Sequence, residues 1–356
     1  MNQNIPFKLF SCCHPVKGFS RSVICDTQRN SFDFIPNSLY DILVKYDGYK
    51  ISEIKSIFNY EFDNIIDDYF IFLQKKEYIF FTEEPDAFPF IKNESDTSST
   101  ITNIIISDTF FTHNYNIIIN QIDHLNVKAI QYRFFEKISL KNFNSLLTLT
   151  SSGKVNDIEL IIKKNKNISL QDYKVLYDKY PRLSRILIHS SENNKSIFLD
   201  ENNHFPLLFI SKRINDNNFC GNIHPNNFSI NFQTFIEALN YNSCLYKKIS
   251  IDENGEIKNC PSMKKSYGNI RSTSLIDVLD KTEFKNYWYK NKDNISVCNE
   301  CEFKYICTDC RAFIKNPENI YSQPAKCYYN PYLAKWKGQE GYMSIKEWEE
   351  SNLPID

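Results

Sequence analysis

The chain contains little glycine and has almost no excess charge. Only 8 of its 356 residues are glycine, and no two stand in the G-x-G or G-x-x-x-x-G-K spacing that lets a backbone approach phosphate. Dinucleotide-binding and P-loop phosphate sites are therefore excluded. The formal net charge is −1, so no collective basic field favours nucleic acid as a partner. Hydrophobic residues make up 42% of the chain, which predicts a folded protein rather than a disordered one.

Long apolar runs and targeting patterns are also missing. No run approaches the roughly 18 residues that a membrane span needs, and the first residues lack the charged, apolar and small-residue regions of a signal peptide. We therefore expect a cytoplasmic chain without a membrane partner. In such a compartment 11 cysteines, an odd number, indicate metal binding or reactive thiols before disulfides.

The N-terminal pattern predicts a small winged-helix-like domain over residues 1–90. Alternating apolar residues predict strands at 7–10, 21–25 and 31–35, helical spacing predicts three helices within 39–46, 54–58 and 63–73, and a closing strand follows at 77–82. DNA is the alternative partner for such a domain. The third helix argues against DNA binding, because the carboxylates of Asp63, Asp67 and Asp68 would repel the DNA phosphates.

Strands and helices alternate over residues 100–235. Strands are predicted at 101–107, 127–133, 157–162 and 184–189, with helices near 115–124, 139–150 and 169–179. Strands repeated about every thirty residues with helices between them predict a parallel sheet in a partial β/α barrel, and hence an α/β fold class. A polar linker at 93–100 precedes this domain, and a short tail at 341–356 ends the chain.

The cysteine spacing of residues 236–340 is the strongest chemical signal. The run Cys298-x2-Cys301-x5-Cys307-x2-Cys310-x16-Cys327 follows Cys244-x15-Cys260, and Cys220 raises the number to eight. A C-x-x-C pair brings two sulfurs to one centre, and eight thiolates suffice for two tetrathiolate sites. Thiolates gathered without metal would repel one another by roughly 1–4 kcal/mol per pair, which disfavours the alternative of a metal-free packed core.

Iron-sulfur clusters and zinc are the two metal alternatives. Zinc ribbons usually separate their C-x-x-C pairs by about 15–20 residues, which lets two turns close over one ion. The short loop between Cys301 and Cys307 favours a cluster instead. Nearby basic residues would stabilise a negatively charged cluster, although a solvated basic face is the alternative for Lys247, Lys248, Lys258, Lys264, Lys265, Arg311 and Lys326.

Residues 260–263, Gly268, 298–313 and 324–331 resemble a SPASM domain, the module that carries two auxiliary [4Fe-4S] clusters in peptide-modifying radical-SAM proteins. The resemblance implies that Cys298, Cys301, Cys307 and Cys327 hold one cluster. It implies that Cys244, Cys260 and Cys310 hold the other, with Cys220 as the candidate fourth ligand or with an open iron. The family places three residues between the third and fourth cysteines of the run, whereas Cys307 and Cys310 have two between them.

The whole chain, including residues 16–22, resembles the SPASM-domain peptide maturase of grasp-with-spasm systems. Such systems pair a SPASM protein with an ATP-grasp peptide ligase and a small ribosomally made precursor peptide, so both are the expected partners. The N-terminal domain resembles the peptide-recognition element of ribosomal peptide biosynthesis, which binds a leader peptide as an added strand. Phe32 and Phe34 on the third predicted strand are the candidate peptide contacts, and core packing is the alternative for each.

One motif of radical-SAM enzymes is missing. Such enzymes need C-x3-C-x2-C after the first barrel strand, because three thiolates must leave one iron free to chelate SAM. Residues 107–114 occupy that position without a cysteine, and none lies between Cys25 and Cys220. We therefore expect a degenerate radical-SAM-like barrel that does not cleave SAM. His113 is a lone candidate ligand in this loop, with an ordinary structural role as the alternative.

Another candidate is Cys12-Cys13-His14, which suggests a nucleophile and a base. Adjacent strand residues face opposite ways, so buried structural thiols are the favoured interpretation.

Three functions follow from these features. The favoured one is an iron-sulfur peptide-maturation factor that binds a precursor and cooperates with the ligase. An oxidoreductase that uses auxiliary clusters, and a zinc-stapled interaction scaffold, are the alternatives.

Overall fold

The computed structural model describes residues 3–89, 99–199 and 206–352. Most of the predicted linker at 93–100 lies outside the described residues. The first region contains β1 (Phe7–Leu9), β2 (Cys13–Val16), β3 (Ser22–Asp26), β4 (Ser31–Ile35), α1 (Asn37–Lys45), α2 (Ile51–Ile57), α3 (Asp63–Lys75) and β5 (Ile79–Phe81). Strands β2, β3 and β4 form an antiparallel sheet in that order, and β1 pairs with β5. The apolar pattern predicts all of these elements except β2, where His14 and Pro15 interrupt the alternation.

Helical periodicity builds the core of this region. Leu39, Ile42 and Leu43 on one face of α1 are buried, as are Ile66 and Phe70 on α3. The ring of Phe70 meets Phe7 of β1 edge-on at 4.8 Å, which joins the helices to the smaller sheet. The N-terminal region therefore has its own hydrophobic core.

The middle region is an α/β unit, so the predicted fold class is confirmed. Its elements are β6 (Asn103–Asp108), α4 (Tyr115–His124), β7 (Ala129–Phe134), α5 (Leu140–Ser151), β8 (Asp157–Lys163), α6 (Leu170–Lys179), β9 (Leu183–His189), β10 (Lys195–Phe198), β11 (Pro206–Phe209) and α7 (Phe232–Asn240). Side-chain caps set the helix starts: Asn114, Ser139, Ser169 and Asn231 each accept a backbone N–H from the first turn.

The main sheet has eight strands in the order β10-β11-β9-β8-β7-β6-β12-β13. Strands β12 (Lys248–Ile251) and β13 (Ile257–Lys258) come from the cysteine-rich part of the chain, beyond the predicted boundary at residue 236. β12 pairs in parallel with β6, with Lys248 opposite Asn103. The cysteine-rich region is therefore joined to the α/β sheet by backbone hydrogen bonds.

The remaining C-terminal chain is mostly turns. Its regular elements are short: α8 (Leu275–Leu279), α9 (Thr282–Lys285), β14 (Tyr329–Asn330), β15 (Lys335–Trp336) and α10 (Ile345–Ser351). Within the described residues, no helix combines the length and the apolar character that a membrane crossing would require.

The N-terminal sheet packs against the cysteine-rich region. Val16 and Val23 from β2 and β3 share a buried cluster with Phe303 and Cys307. The loop between β2 and β3 lies on the turn that follows Cys298, since Phe19 N donates to Glu300 O at 2.8 Å. A side chain at position 18 would place its Cβ only 2.8 Å from Glu302 N, so only glycine fits this approach.

Candidate metal centres

Four of the predicted ligands line a single cavity, here called the first thiol group: Cys298, Cys301, Cys307 and Cys327. Three aromatic side chains, Phe303, Tyr329 and Trp336, complete much of its wall. The structure therefore places four predicted ligands around one cavity, and metal ligation by them stays a prediction.

Tight turns position the first thiol group. Cys301 N donates to Cys298 O at 3.0 Å, and Cys307 N donates to Phe303 O at 3.0 Å. Burial and the Glu302 charge raise the pKa of the Cys301 thiol well above its ordinary value, and the backbone N–H of Phe303 opposes that rise. Amide donors of this kind stabilise a thiolate or a cluster sulfur, so the backbone between Cys301 and Cys307 suits an anionic centre.

Lys292 faces two sulfurs of the first thiol group and was not predicted from the sequence. The side chain is almost fully buried at 4% exposure, and Nζ lies 3.5 Å from Cys307 Sγ and 3.9 Å from Cys298 Sγ. Burial acts to lower the pKa of Lys292, but nearby Cys298 and Cys307 outweigh burial and raise the pKa well above its ordinary value. Lys292 therefore favours negative charge on these sulfurs and opposes burial, which raises the pKa of the Cys298 thiol to about 12.

The other four predicted ligands form the second thiol group: Cys220, Cys244, Cys260 and Cys310. Cys244 precedes β12 and Cys260 follows β13, and the antiparallel register pairs Ser250 with Lys258. Extending that register by two residues sets Lys248 opposite Cys260. The hairpin thus brings the segments carrying Cys244 and Cys260 to the same end of the sheet.

A lysine also serves the second thiol group. Lys248 Nζ lies 3.7 Å from Cys244 Sγ. Burial raises the pKa of the Cys244 thiol to about 12; the Lys248 ammonium opposes this rise, while charge on Cys260, Cys310 or Cys220 adds to it. Each thiol group therefore has one lysine that donates to sulfur.

Cys220 joins the second thiol group through close packing. A Cβ on the next residue, Gly221, would lie 2.9 Å from Cys310 Sγ, and Gly221 has a φ of +86°. Lys326 Nζ donates to Cys220 O at 2.6 Å, which ties this segment to the residue before Cys327. The structure thus places the tentative fourth ligand beside the other three.

A buried ion pair includes Asp309, a residue of the segment that links Cys307 of the first thiol group to Cys310 of the second. Asp309 lies between Cys307 and Cys310, and its carboxylate accepts Arg311 Nη2 at 2.6 Å with both side chains at 0% exposure. The same carboxylate accepts Asn242 Nδ2 at 2.7 Å. Residues 307–310 are therefore anchored to the segment just before Cys244.

The predicted basic face has mixed roles. One of its seven residues, Lys248, donates to a cysteine sulfur. Lys258 pairs with Asp252, Lys265 pairs with Glu283, and Arg311 pairs with Asp309. Lys326 binds backbone carbonyls, Lys247 lies over the Tyr246 ring, and Lys264 is exposed.

The loop after β6, where a radical-SAM enzyme carries its cysteines, is organised by Asp108 instead. This carboxylate is fully buried and accepts hydrogen bonds from the amides or hydroxyls of Phe110, Thr112, His113 and Tyr115. His113 is buried, and its Nε2 donates to Ser107 O at 2.9 Å. His113 therefore has the structural role that the sequence left as the alternative.

A smaller thiol cluster lies in the N-terminal region. The structure brings the ligand atoms of Cys12, Cys13 and Asp26 within 4.8 Å of one another. In the described part of the chain, no other three His, Cys, Asp or Glu residues come this close together. The Asp26 carboxylate already accepts the amides of Gln28 and Arg29 and the Arg29 guanidinium. His14 stacks on Phe235 at 4.5 Å. These contacts favour the structural interpretation of the N-terminal cysteines.

Phe32 and Phe34 lie on β4, an edge strand of the N-terminal sheet. Their rings lie 5.7 and 5.9 Å from the Phe303 ring. Phe32 is half-buried, whereas Phe34 is 47% exposed and has the Arg21 guanidinium 3.5 Å above its ring centroid. Both residues join the N-terminal sheet to the first thiol group, and peptide contact by either stays a prediction.

Comparison with protein families identifies one match. The model of the SPASM family, an iron-sulfur cluster-binding domain, matches residues 243–302. That stretch includes Cys244, Cys260, Cys298 and Cys301, and it confirms the SPASM resemblance for this part of the chain. No curated protein matches the chain.

Similar solved structures include two of SuiB from Streptococcus suis. SuiB bound to S-adenosylmethionine is 12% identical, with a TM-score of 0.36 and coverage of 86% of this chain and 96% of that one. SuiB bound to the precursor peptide SuiA is 10% identical, with a TM-score of 0.34 and the same coverage, 86% and 96%.

Proposed function

We propose that this chain is an iron-sulfur protein of ribosomal peptide maturation, which binds a precursor peptide and cooperates with an ATP-grasp ligase without cleaving SAM itself. The observation that carries the proposal is the gathering of eight cysteines into two groups of four, each with a lysine that donates to sulfur. Four of the eight lie in the stretch that matches the SPASM family model.

The donor set fits two iron-sulfur units. Eight thiols are the complement of two four-cysteine clusters, and each group lies among backbone amides and one ammonium that favour negative sulfur. In a zinc site with bonds of about 2.3 Å, the four sulfurs would lie about 3.8 Å apart. No three of the eight sulfurs, all within the described residues, lie mutually within 4.8 Å, and this wider spread supports a cluster.

The residues around each thiol group have defined tasks in this proposal. A cluster bound to either group would supply one-electron transfer and a rigid cross-link between chain segments. Lys292 and Lys248 would neutralise part of its charge. Aromatic walls at Phe303, Tyr329 and Trp336 would exclude water from the first thiol group.

The absence of SAM cleavage rests on the loop after β6. The Asp108 carboxylate accepts hydrogen bonds from Thr112, His113 and Tyr115, which hold the loop around a carboxylate rather than around thiolates. No cysteine occurs in residues 107–114. The proposal therefore assigns the middle region a supporting role rather than radical initiation.

The edge of β4 is the proposed place for a peptide. Within the described residues, β4 pairs only with β3, so its outer edge offers free N–H and C=O groups to an extended chain. Phe34 provides an exposed aromatic surface beside that edge. An added strand there would run next to the first thiol group, because the Phe34 ring contacts Phe303.

Anaerobic purification with iron, sulfide and zinc quantitation tests the metal part of the proposal, and a SAM-cleavage assay tests the absence of radical initiation. We expect a brown protein that leaves SAM intact. Formation of 5′-deoxyadenosine would overturn the second part, and a fully folded protein with zinc alone would overturn the first.

Peptide binding can be tested without knowing the precursor. Displayed random peptides can be selected on the intact protein and then measured against the Phe34→Ala variant. The matched control is Phe198→Ala, because Phe198 on β10 is 48% exposed and Phe34 is 47% exposed. We expect selected peptides to weaken about tenfold with Phe34→Ala only, since an aromatic anchor contributes about 1–2 kcal/mol. Equal weakening by both variants would contradict the β4 site.

A further inference from the structure

A basic cavity lies on the middle region, and its lining includes none of the eight cysteines of the two thiol groups. Its volume is about 410 Å³, and five of its lining residues are lysines: Lys137, Lys163, Lys164, Lys166 and Lys195. Of the described residues that line it, only Glu192 is acidic. A local excess of positive charge in a chain of net charge −1 is a feature that neither the cysteines nor the N-terminal domain explains.

The fold places these lysines where α/β proteins bind ligands. Lys137 follows β7, Lys163 ends β8, and Ser190 and Ser191 follow β9. The three strands are parallel neighbours, so their carboxyl ends meet at one edge of the sheet. Crevices at that edge are the usual ligand sites of parallel sheets.

Most of the positive charge is not neutralised. Lys163 pairs with Glu136 at 2.7 Å, and Lys164 and Lys195 lie on the Phe209 ring at 4.8 and 4.9 Å from its centroid. Lys137 and Lys166 are exposed, and neither has an ion pair within the described part of the chain. At least four ammonium groups are therefore available to an anionic ligand.

The cavity suits separate carboxylates better than phosphate. The amides after β9 are already used, because Ser190 N donates to Lys212 O and Ser191 N donates to Ile210 O, each at 3.0 Å. Among the described residues, no glycine or arginine lines the cavity, so they provide neither a backbone cradle nor a bidentate guanidinium. Dispersed ammonium groups on flexible stems match several acidic side chains along a peptide.

We propose that this lysine-lined cavity binds an acidic segment of a peptide. The proposal rests on the function proposed above, because it takes the acidic segment to belong to the precursor peptide. A site at the carboxyl edge of β7, β8 and β9 would hold that segment apart from the strand edge of β4. The peptide would then contact the protein at two separate places.

The test measures fluorescence anisotropy of fluorescein-labelled hexaglutamate with the intact protein at low and at physiological salt. We expect binding that weakens as salt rises and that weakens at least about fivefold in the double variant Lys137→Glu/Lys166→Glu. The matched control is the double variant Lys154→Glu/Lys174→Glu, which changes the net charge by the same amount at two exposed lysines outside the cavity. It changes the net charge and leaves the cavity intact, so it should have less than about a twofold effect.

Three results would overturn the proposal: no binding at low salt, equal weakening by the control variant Lys154→Glu/Lys174→Glu, or displacement by sodium triphosphate at a lower concentration than unlabelled hexaglutamate. The last result would assign the cavity to phosphate. Iron and sulfide content, measured on the same preparations, is independent of this cavity. Failure here with full iron loading would therefore leave the proposed function standing.

Discussion

The contact between the N-terminal loop and the cysteine-rich region yields the sharpest stability prediction. The Glu302 carboxylate has a side-chain exposure of only 1%, and it accepts Arg21 Nε at 2.8 Å and the Tyr329 hydroxyl. Replacing Glu302 with Gln removes the charge but keeps the shape. Arg21 would then face a neutral amide, while its ring contact with Phe34 remains.

The expected cost follows from the burial of the two partners. Breaking a buried ion pair by removing one charge costs about 3–5 kcal/mol. Arg21 is 30% exposed and regains some hydration, so we expect Glu302→Gln to lower the free energy of unfolding by about 2 kcal/mol. In a double-mutant cycle with Arg21→Met, the coupling energy should be about 1–2 kcal/mol.

Urea unfolding followed by far-ultraviolet ellipticity measures these values, and amide hydrogen exchange of residues 17–26 shows whether the loop is released. The control is Glu300→Gln, an exposed neighbour with no ion pair in the described residues, which should change stability by less than about 0.5 kcal/mol. If Glu302→Gln is equally silent, or if the cycle is additive, the loop is not held by this carboxylate.

Three further changes have expected outcomes. Asp309→Asn should cost about 3–5 kcal/mol in urea unfolding, because it leaves the Arg311 charge buried; a loss below 1 kcal/mol would contradict this. Gly221→Ala should cost at least about 1 kcal/mol, since its φ is +86° and its Cβ would lie 2.9 Å from Cys310 Sγ; unchanged stability would show that Cys220 does not pack there. Burial raises the pKa of Glu237 to about 7, so native stability should fall as pH rises from 4.5 to 7. Glu237→Gln should therefore stabilise by about 1–3 kcal/mol at pH 8 and little at pH 4; equal effects at both would refute the shift.

The sequence predicts those helices and strands in which a regular pattern of apolar residues continues over the whole element. Helices α4, α5 and α6 and strands β6 to β9 occur where the apolar pattern places them, because each pattern persists for several residues between clear turn signals. Strand β12 is only four residues long, and its partner β6 lies about 145 residues away in sequence, so local pattern could not reveal the pairing.

In the candidate site, too, sequence motifs predict some residues, whereas others are brought in only by tertiary contacts. The resemblance to the SPASM domain grouped Cys298, Cys301 and Cys307 with Cys327, whereas the C-x-x-C spacing alone would pair Cys307 with Cys310. Lys292 could not be predicted, because its approach to two sulfurs depends on how the turns after α9 fold back. The position of Cys220 likewise depends on tertiary packing against Cys310.

The metal content of the protein tests the central claim most directly. After anaerobic purification, or reconstitution with ferrous iron and sulfide, the account predicts about eight irons and eight sulfides per chain, with zinc well below one equivalent. The broad absorbance of iron-sulfur clusters should accompany this content. A colourless and fully folded protein that carries only zinc, or no metal, would contradict the account.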